Sequence, residues 1–390
     1  MFKKIIVLLI FVAIGFSAFA DTDFYAEDMY IGSSVDFGLG GPYPTDNEGL
    51  DSIFANPASF KSAEPGFEFF DMTTHVMGPV IEIAGLASSA IKDGQEITEM
   101  LAAPEMQDIL NGLYTGISLS GPLAFGYVGK GLGIGLFNST DFLVQETGPI
   151  SLSINITEEV MLTAGYSFRI PLSKDEKHTL DLGIMAKGAL NGSVMIEKSF
   201  LELPGMFTSI GPDLILGQPF EFSKILSADA GALYSFDEKL SLGVNFQDFY
   251  SVVFKDTYST GINGFQGNEV PVSEIGMIPF KLNAGFEWDP HFPKIGDVFD
   301  LRFMAAYDDV LDFMFYSSEA ESWMLHVKGG AELTLFNFLD IRAGVAEGLL
   351  NAGVGFDLKY FRIDAAVFGT ERSSMPNMNP VYNMVLSFTI

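Results

Sequence analysis

From Asn351 to Ile390 apolar and polar positions alternate with a period of two. Ala352, Val354, Phe356, Leu358 and Tyr360 form an apolar face, against Asn351, Gly353, Gly355, Asp357 and Lys359. Tyr382, Met384, Leu386, Phe388 and Ile390 repeat the pattern against Asn383, Val385, Ser387 and Thr389. That period is the mark of a strand with one apolar face. An aromatic-rich strand that stays amphipathic to its last residue suits a closed barrel, in which first and last strands pair and no edge is left. Read backwards from there, the alternation predicts strands near 382–390, 363–370, 351–360, 338–346, 323–336, 297–307, 277–289, 239–250, 223–236, 178–192, 150–170, 132–146, 114–128 and 66–76. The expected fold is all-β: an antiparallel transmembrane β-barrel of about fourteen strands, with both ends periplasmic, short periplasmic turns and long, partly helical outer loops.

The connections sort in the same way. Gly129-Lys130-Gly131, Asp237-Glu238-Lys239, Phe336-Asn337-Phe338 and Lys359-Tyr360-Phe361-Arg362 are short and fall on one side, while 77–113, 193–222, 251–276 and 308–322 are long and fall on the other. Within 150–170, Thr157-Glu158-Glu159 also reads as a turn, which would upset the parity of the first strands.

Composition supports the same class. The chain is 48% hydrophobic, yet beyond residue 20 it holds no apolar run long enough for a membrane helix, so its hydrophobicity is spread over short strands. Its 41 glycines suit tight turns and a crowded wall, and its 13% aromatic content suits interfacial girdles. Residues 1–20 read as an export signal. Lys3 and Lys4 are followed by an apolar stretch and by Ser17-Ala18-Phe19-Ala20, with cleavage expected near Ala20. The expected location is therefore the outer membrane of a diderm bacterium. Cysteine is absent, so neither disulfide staples nor a lipid-bearing cysteine are available.

Without the two leader lysines, 19 basic side chains face 50 acidic ones, a net charge of −31. Nucleic acid is excluded as a partner by that balance. An anionic ligand would have to be caught by local cations. The phase shared with small and polar neighbours carries Arg169, Asp181, Lys187, Asp229, Arg302, Lys328, Glu332, Asp340, Arg342 and Asp364, so charges are expected to line the lumen. Mutual ion pairing is one role for them; guiding a substrate is the other, with Arg169, Lys187, Arg302, Lys328 and Arg342 as candidate carboxylate-binding cations.

Enzymatic chemistry has little to stand on. The four histidines, His75, His178, His291 and His326, lack an evident nucleophile partner at the outer rim, and Asp308-Asp309-x-x-Asp312 lacks the spacing of a calcium loop. No catalytic residue, metal or cofactor is expected, and the protein is read as not an enzyme.

Between the leader and the first strand lies a segment that does not alternate. It carries Gly38-Leu39-Gly40-Gly41 and then Asp51-Ser52-Ile53-Phe54-Ala55-Asn56-Pro57-Ala58. Pro57 fixes φ and removes a donor, and Asn56 can cap the backbone locally, so Asn56, Pro57 and Ala58 make a rigid corner. A glycine-rich stretch followed by Asp-x-x-x-x-Asn-Pro-Ala before strand one resembles the N-terminal hatch of the FadL-type transporters for long-chain fatty acids and aromatic hydrocarbons. The resemblance implies three parts: a leader over 1–20, a hatch over 21–62 and a barrel over 63–390. It also implies a greasy first binding site in the outer loops, a deeper pocket, and lateral release through the wall. The mature start, Asp21-Thr22-Asp23-Phe24, departs from the family pattern, and its acids repel a fatty carboxylate.

The outer loops point independently to a hydrophobic ligand. Residues 194–222 carry Val194, Met195, Ile196, Phe200, Met206, Phe207 and Phe220 among many apolar side chains, and 79–113 reads as amphipathic helix. A dense apolar loop packs on itself or presents a groove, and Met and Phe accommodate varied shapes. Phe200, Met206 and Phe207 join the five cations as candidate substrate-binding residues. The function expected is uptake of hydrophobic compounds such as long-chain fatty acids by a monomer in outer-membrane lipid. A general porin, and a secretion-linked or adhesive barrel without transport, are the alternatives.

Overall fold

The computed structural model describes residues 23–27, 30–92, 94, 99–100, 103–110, 112–148, 151–199, 202, 215–237, 239–290, 298–315, 320–358 and 360–390. Its strands are β1 (Phe24–Tyr25), β2 (Gly66–Met77), β3 (Tyr114–Gly129), β4 (Leu132–Gly148), β5 (Ser151–Pro171), β6 (His178–Ser199), β7 (Phe220–Phe236) and β8 (Leu240–Tyr258). They continue with β9 (Val272–Met277), β10 (Lys281–Trp288), β11 (Phe299–Tyr307), β12 (Val327–Leu335), β13 (Leu339–Ala346), β14 (Leu349–Asp357), β15 (Arg362–Glu371) and β16 (Pro380–Thr389). Each wall strand pairs antiparallel with the next, and β16 returns to β2 with Leu386 opposite Thr74. β9 and β10 pair with the upper and lower parts of β8, so they are two halves of one strand interrupted at Ile278-Pro279-Phe280. The ring is a closed antiparallel barrel of fourteen strands.

Alternation sets what faces where. On β6, Thr179, Asp181, Met185, Lys187 and Ala189 are buried inward, while Ile184 and Leu190 on the opposite phase are half exposed. Leu162, Phe168, Leu226, Leu242, Val354 and Leu386 extend that exposed apolar belt around the wall. Apolar side chains displayed on a closed barrel fit lipid as their solvent.

The wall is uneven in height. β5 and β6 hold 21 and 22 residues, against 9, 8 and 9 in β12, β13 and β14. A tilted strand crosses a bilayer in roughly 9–11 residues, so the low side only spans it and the tall side stands beyond it, toward the long connections.

Several expected boundaries move as a result. Val194, Met195 and Ile196 belong to β6, and Phe220 and Phe222 to β7, rather than to an outer loop. Thr157-Glu158-Glu159 is not a turn: it pairs on both sides within β5, opposite Ser193-Gly192-Asn191 on one and Asp141-Thr140-Ser139 on the other. The segment expected as one strand over 277–289 is broken, because Pro279 has no N–H to give a ladder. Phe24 and Tyr25, not expected to be a strand, run parallel beside Gly276 and Met277.

Before β2 come α1 (Ser34–Leu39), α2 (Asp51–Ala55) and a 3-10 turn (Pro57–Lys61). Above β2, among the described residues, α3 (Val80–Lys92) and α4 (Pro104–Leu110) realise the amphipathic pattern, with Ile83 and Leu86 packed on Met106, Leu110, Leu113 and Leu152.

Candidate functional site

The segment before β2, expected as a hatch, is held against the inner wall by contacts that its sequence makes specific. Asn56 has an extended φ of −168°, and its side chain works in two directions. Its Oδ1 accepts from Ala58 N at 3.0 Å and so caps the 3-10 turn, with Pro57 in the first position, where no N–H is required. Its Nδ2 donates to Pro44 O at 2.7 Å and to Ala232 O and Val244 O at 3.4 Å, fastening the corner to β7 and β8. Ser59 Oγ donates back to Asn56 O at 2.5 Å, and Ala58 and Phe60 are wholly buried.

The wall yields where the corner lands. A Cβ at Gly183 would sit 2.3 Å from the Pro57 carbonyl carbon, and one at Gly231 would sit 1.8 Å from Asn56 Oδ1. Only glycine lets the wall come so close to the corner.

A second anchor is α1. Ser33 caps it by accepting from Asp36 N, and Ser33 Oγ donates to Asp51 Oδ2 at 2.7 Å, joining α1 to α2. Tyr30 OH donates to Asp36 Oδ2 at 2.7 Å. Burial pushes the hatch carboxyls Asp36, Asp46 and Asp51 above the usual carboxylate range, and for Asp51 the neighbouring Asp36 adds to the shift. Ser34 N and Oγ both meet Ser387 Oγ, tying the hatch to β16.

The five lumen cations come together with acids. Arg169 forms a two-pronged pair with Asp181, directly opposite across the strands, at 2.8 and 2.6 Å. Lys187 lies 3.0 Å from Asp229 and 2.8 Å from Asp248, all three almost fully buried. Arg302 reaches Glu48 of the hatch and Glu332 of β12, each at 2.9 Å. Lys328 meets Asp308 at 2.8 Å and donates to the Pro42 carbonyl. Arg342, with no exposed side-chain surface, is ringed by Glu332, Asp340 and Asp364 at 2.5, 2.9 and 2.7 Å. A ligand carboxylate at any of these cations would compete with a carboxylate already in place. Phe200, Met206 and Phe207 lie outside the described residues.

Reading the inner phase for charge missed its apolar part. Phe137, Met161, Met185, Ile225, Val253 and Ile278 face inward from β4 to the start of the β9–β10 break and pack with Ile53 and Phe60 of the hatch, with Phe24 against them. The signal was present in the alternation itself: Met185 shares its phase with Asp181 and Lys187. Beside the hatch, the β2–β3 ladder slips between Asp71 and Thr73 and opposite Ser120 to Ala124, leaving a crevice of about 10 Å³ against Ser33, Asp51 and Phe137. At the end of the barrel that carries the short turns lies a polar vestibule of about 820 Å³, bordered by Glu48, Arg169, Asp237, Glu287 and Arg302. The histidines also stand apart from one another. His75 lies beside the stacked rings of Phe37 and Phe368, His178 Nδ1 shares a hydrogen bond with Tyr234 OH at 2.7 Å, and His326 meets Asp312 at 3.3 Å, while His291 is outside the described residues.

The chain is similar to FadL-type channels. One such structure is the CymD monoaromatic hydrocarbon channel, at 12% identity and a TM-score of 0.48, covering 93% of this chain and 98% of that one. Another is the Pseudomonas putida toluene transporter TodX, at 12% identity and a TM-score of 0.46, covering 94% and 99%. A Pseudomonas aeruginosa FadL homologue follows at 12% identity and a TM-score of 0.26, covering 93% and 99%. No protein-family model matches the chain, and no curated protein matches it.

Proposed function

We propose that the protein is an outer-membrane channel through which hydrophobic compounds enter the cell, and that the compounds it passes are uncharged. The observation that carries this reading is the apolar inner belt of Phe137, Met161, Met185, Ile225, Val253 and Ile278, seated directly on the hatch. A water-filled porin keeps a polar lumen. Here an apolar belt lines the β4–β9 side of the lumen, and the charges beside it are matched to one another. Burying a fatty carboxylate unpaired costs several kcal/mol on the order of a lost ion pair, and the cations that could relieve that cost already hold Asp181, Asp229, Glu332 or Asp364. A neutral hydrocarbon meets no such penalty. The slipped β2–β3 ladder beside the hatch is where lateral release would fall.

Flux into proteoliposomes tests the reading. Reconstituted protein is expected to speed equilibration of radiolabelled toluene across the bilayer above protein-free vesicles, with oleate accelerated far less. Oleate moving faster than toluene would reverse the choice of substrate. No acceleration of either would remove the channel.

A further inference from the structure

A second apolar space opens on the lipid side of the wall. Val76, Met384 and Val367 form one outward row across β2, β16 and β15, each directly opposite the next. Together with Leu350 and with Ile81 at the start of α3, they border a groove of about 410 Å³, within the size range of small-molecule sites. Its floor is Phe368, which belongs to the inward phase and is buried. An inward ring is reached from outside because the β14–β15 ladder stops at Ala352 opposite Val367. Above that pair the Gly369 N–H is taken by the side chain of Asn351, at 3.2 Å, instead of by a strand carbonyl.

Phe368 is also the end of a chain of rings that crosses the lumen. It stacks on Phe37 of α1, with centroids 4.2 Å apart and planes 10° from parallel. Phe37 meets Tyr30 edge-on at 6.4 Å, Tyr30 meets Phe54 at 5.9 Å, and Phe54 meets Phe137 at 5.0 Å. These spacings span the range in which ring pairs attract beyond simple area burial. The chain therefore runs from the lipid-side groove, through the hatch, to the apolar belt on β4. Among the described residues lining the groove, the one charged side chain is Glu82, so a fatty carboxylate would find repulsion there and no cation.

We propose that this groove between β14, β15, β16 and β2 binds a small uncharged aromatic compound, which packs on Phe368 at the outer end of the ring chain. The proposal deepens the hydrophobic-channel reading and rests on it for its purpose, though not for its binding chemistry. Phe368 is the residue that sets the preference for a ring over an alkyl chain. Met384 adds a polarizable thioether at the rim of the same site.

The test uses the full-length protein in phospholipid nanodiscs, with fluorobenzene and fluorocyclohexane as probes read by fluorine NMR line widths. Val367→Trp fills the groove from its lipid side without touching the hatch, and Phe368→Leu removes the ring while keeping an apolar floor. Val367→Trp is expected to weaken fluorobenzene about tenfold. Phe368→Leu is expected to weaken fluorobenzene about three- to tenfold and to leave fluorocyclohexane nearly unchanged, the size of one lost ring pair. Unchanged fluorobenzene binding in Val367→Trp would overturn the site. Equal losses of both probes in Phe368→Leu would overturn its aromatic preference. A native mass spectrum in which Val367→Trp sheds a phospholipid that fluorobenzene cannot displace would assign the groove to an acyl chain and overturn the proposal. Flux separates the two readings: groove binding without toluene flux in the parent protein sinks the channel alone, and parent-level flux in a Val367→Trp protein that still binds fluorobenzene sinks the groove alone.

Discussion

At the scale of the residue, Arg342 is the clearest case of a charge committed to structure. Its three carboxylate partners come from β12, β13 and β15, and each keeps a second arginine: Glu332 also meets Arg302, and Asp340 and Asp364 also meet Arg362. Arg342→Ala is therefore expected to cost about 1.5–3 kcal/mol in urea unfolding from detergent, the loss of charge-assisted hydrogen bonds whose acceptors still hold Arg302 or Arg362. A change below about 1 kcal/mol would mean that water already screens the cluster. Gly231 makes a complementary point through sterics. Gly231→Val would collide with Asn56, and overpacking of this kind costs about 1–3 kcal/mol, here read as protease sensitivity of the hatch with the barrel intact. Some of this was legible in the chain and some was not. Arg169 faces Asp181, and Arg342 faces Glu332, as direct cross-strand partners, so correct strand register already implies both pairs. Lys187 differs. Its partner Asp248 reaches the lumen because β8 bulges opposite Asp229 and turns Asp248 to a φ of 51°, which no period-two pattern announces.

At the scale of the element, strands were readable because one face meets lipid and the other the lumen, which makes alternation compulsory. Their ends were less readable. The tall strands continue beyond the bilayer, where polar residues such as Ser193 and Glu197 look like a loop but remain in the ladder. β1 carries no signal of its own, since two residues become a strand only by lying beside β9. The hatch was marked by Asn56-Pro57-Ala58, but its grip on the wall depends on glycines distant in sequence. Removing residues 21–62 is expected to leave a barrel that folds and conducts ions in planar bilayers where the intact protein is closed; an unchanged closed state would show that the hatch is not the seal. Acid should tighten that seal. The Asp36 and Asp51 carboxyls are shifted upward in the seated hatch, so the seated form favours their protonated state, and its stability falls as pH rises through the raised values. As pH drops toward the ordinary carboxylate pKa of about 3.9, channel openings should become rarer. More frequent openings at pH 5 would contradict that sign.

At the scale of the whole molecule, the uneven wall makes an orientation that can be measured residue by residue. The chain holds no cysteine, so single substitutions give clean chemical reporters. Ile184 on β6 and Val354 on β14 lie in the exposed apolar belt, whereas Glu197 lies thirteen positions beyond Ile184 on the same strand, at a height that β14 never reaches. At roughly 3.3 Å per residue that interval exceeds the hydrocarbon thickness even after allowing for tilt. In intact cells, a membrane-impermeant maleimide should therefore modify Glu197→Cys at once and leave Ile184→Cys and Val354→Cys untouched. Asp237→Cys, in the short turn between β7 and β8, should react only after the outer membrane is permeabilised. Labelling of Asp237→Cys before Glu197→Cys would invert the barrel, and with it the assignment of long connections to the outside. Equal labelling of all four would mean that the apolar belt is bathed in water rather than lipid, and neither the groove at Val367 nor a lumen closed by the hatch would then have a membrane to serve.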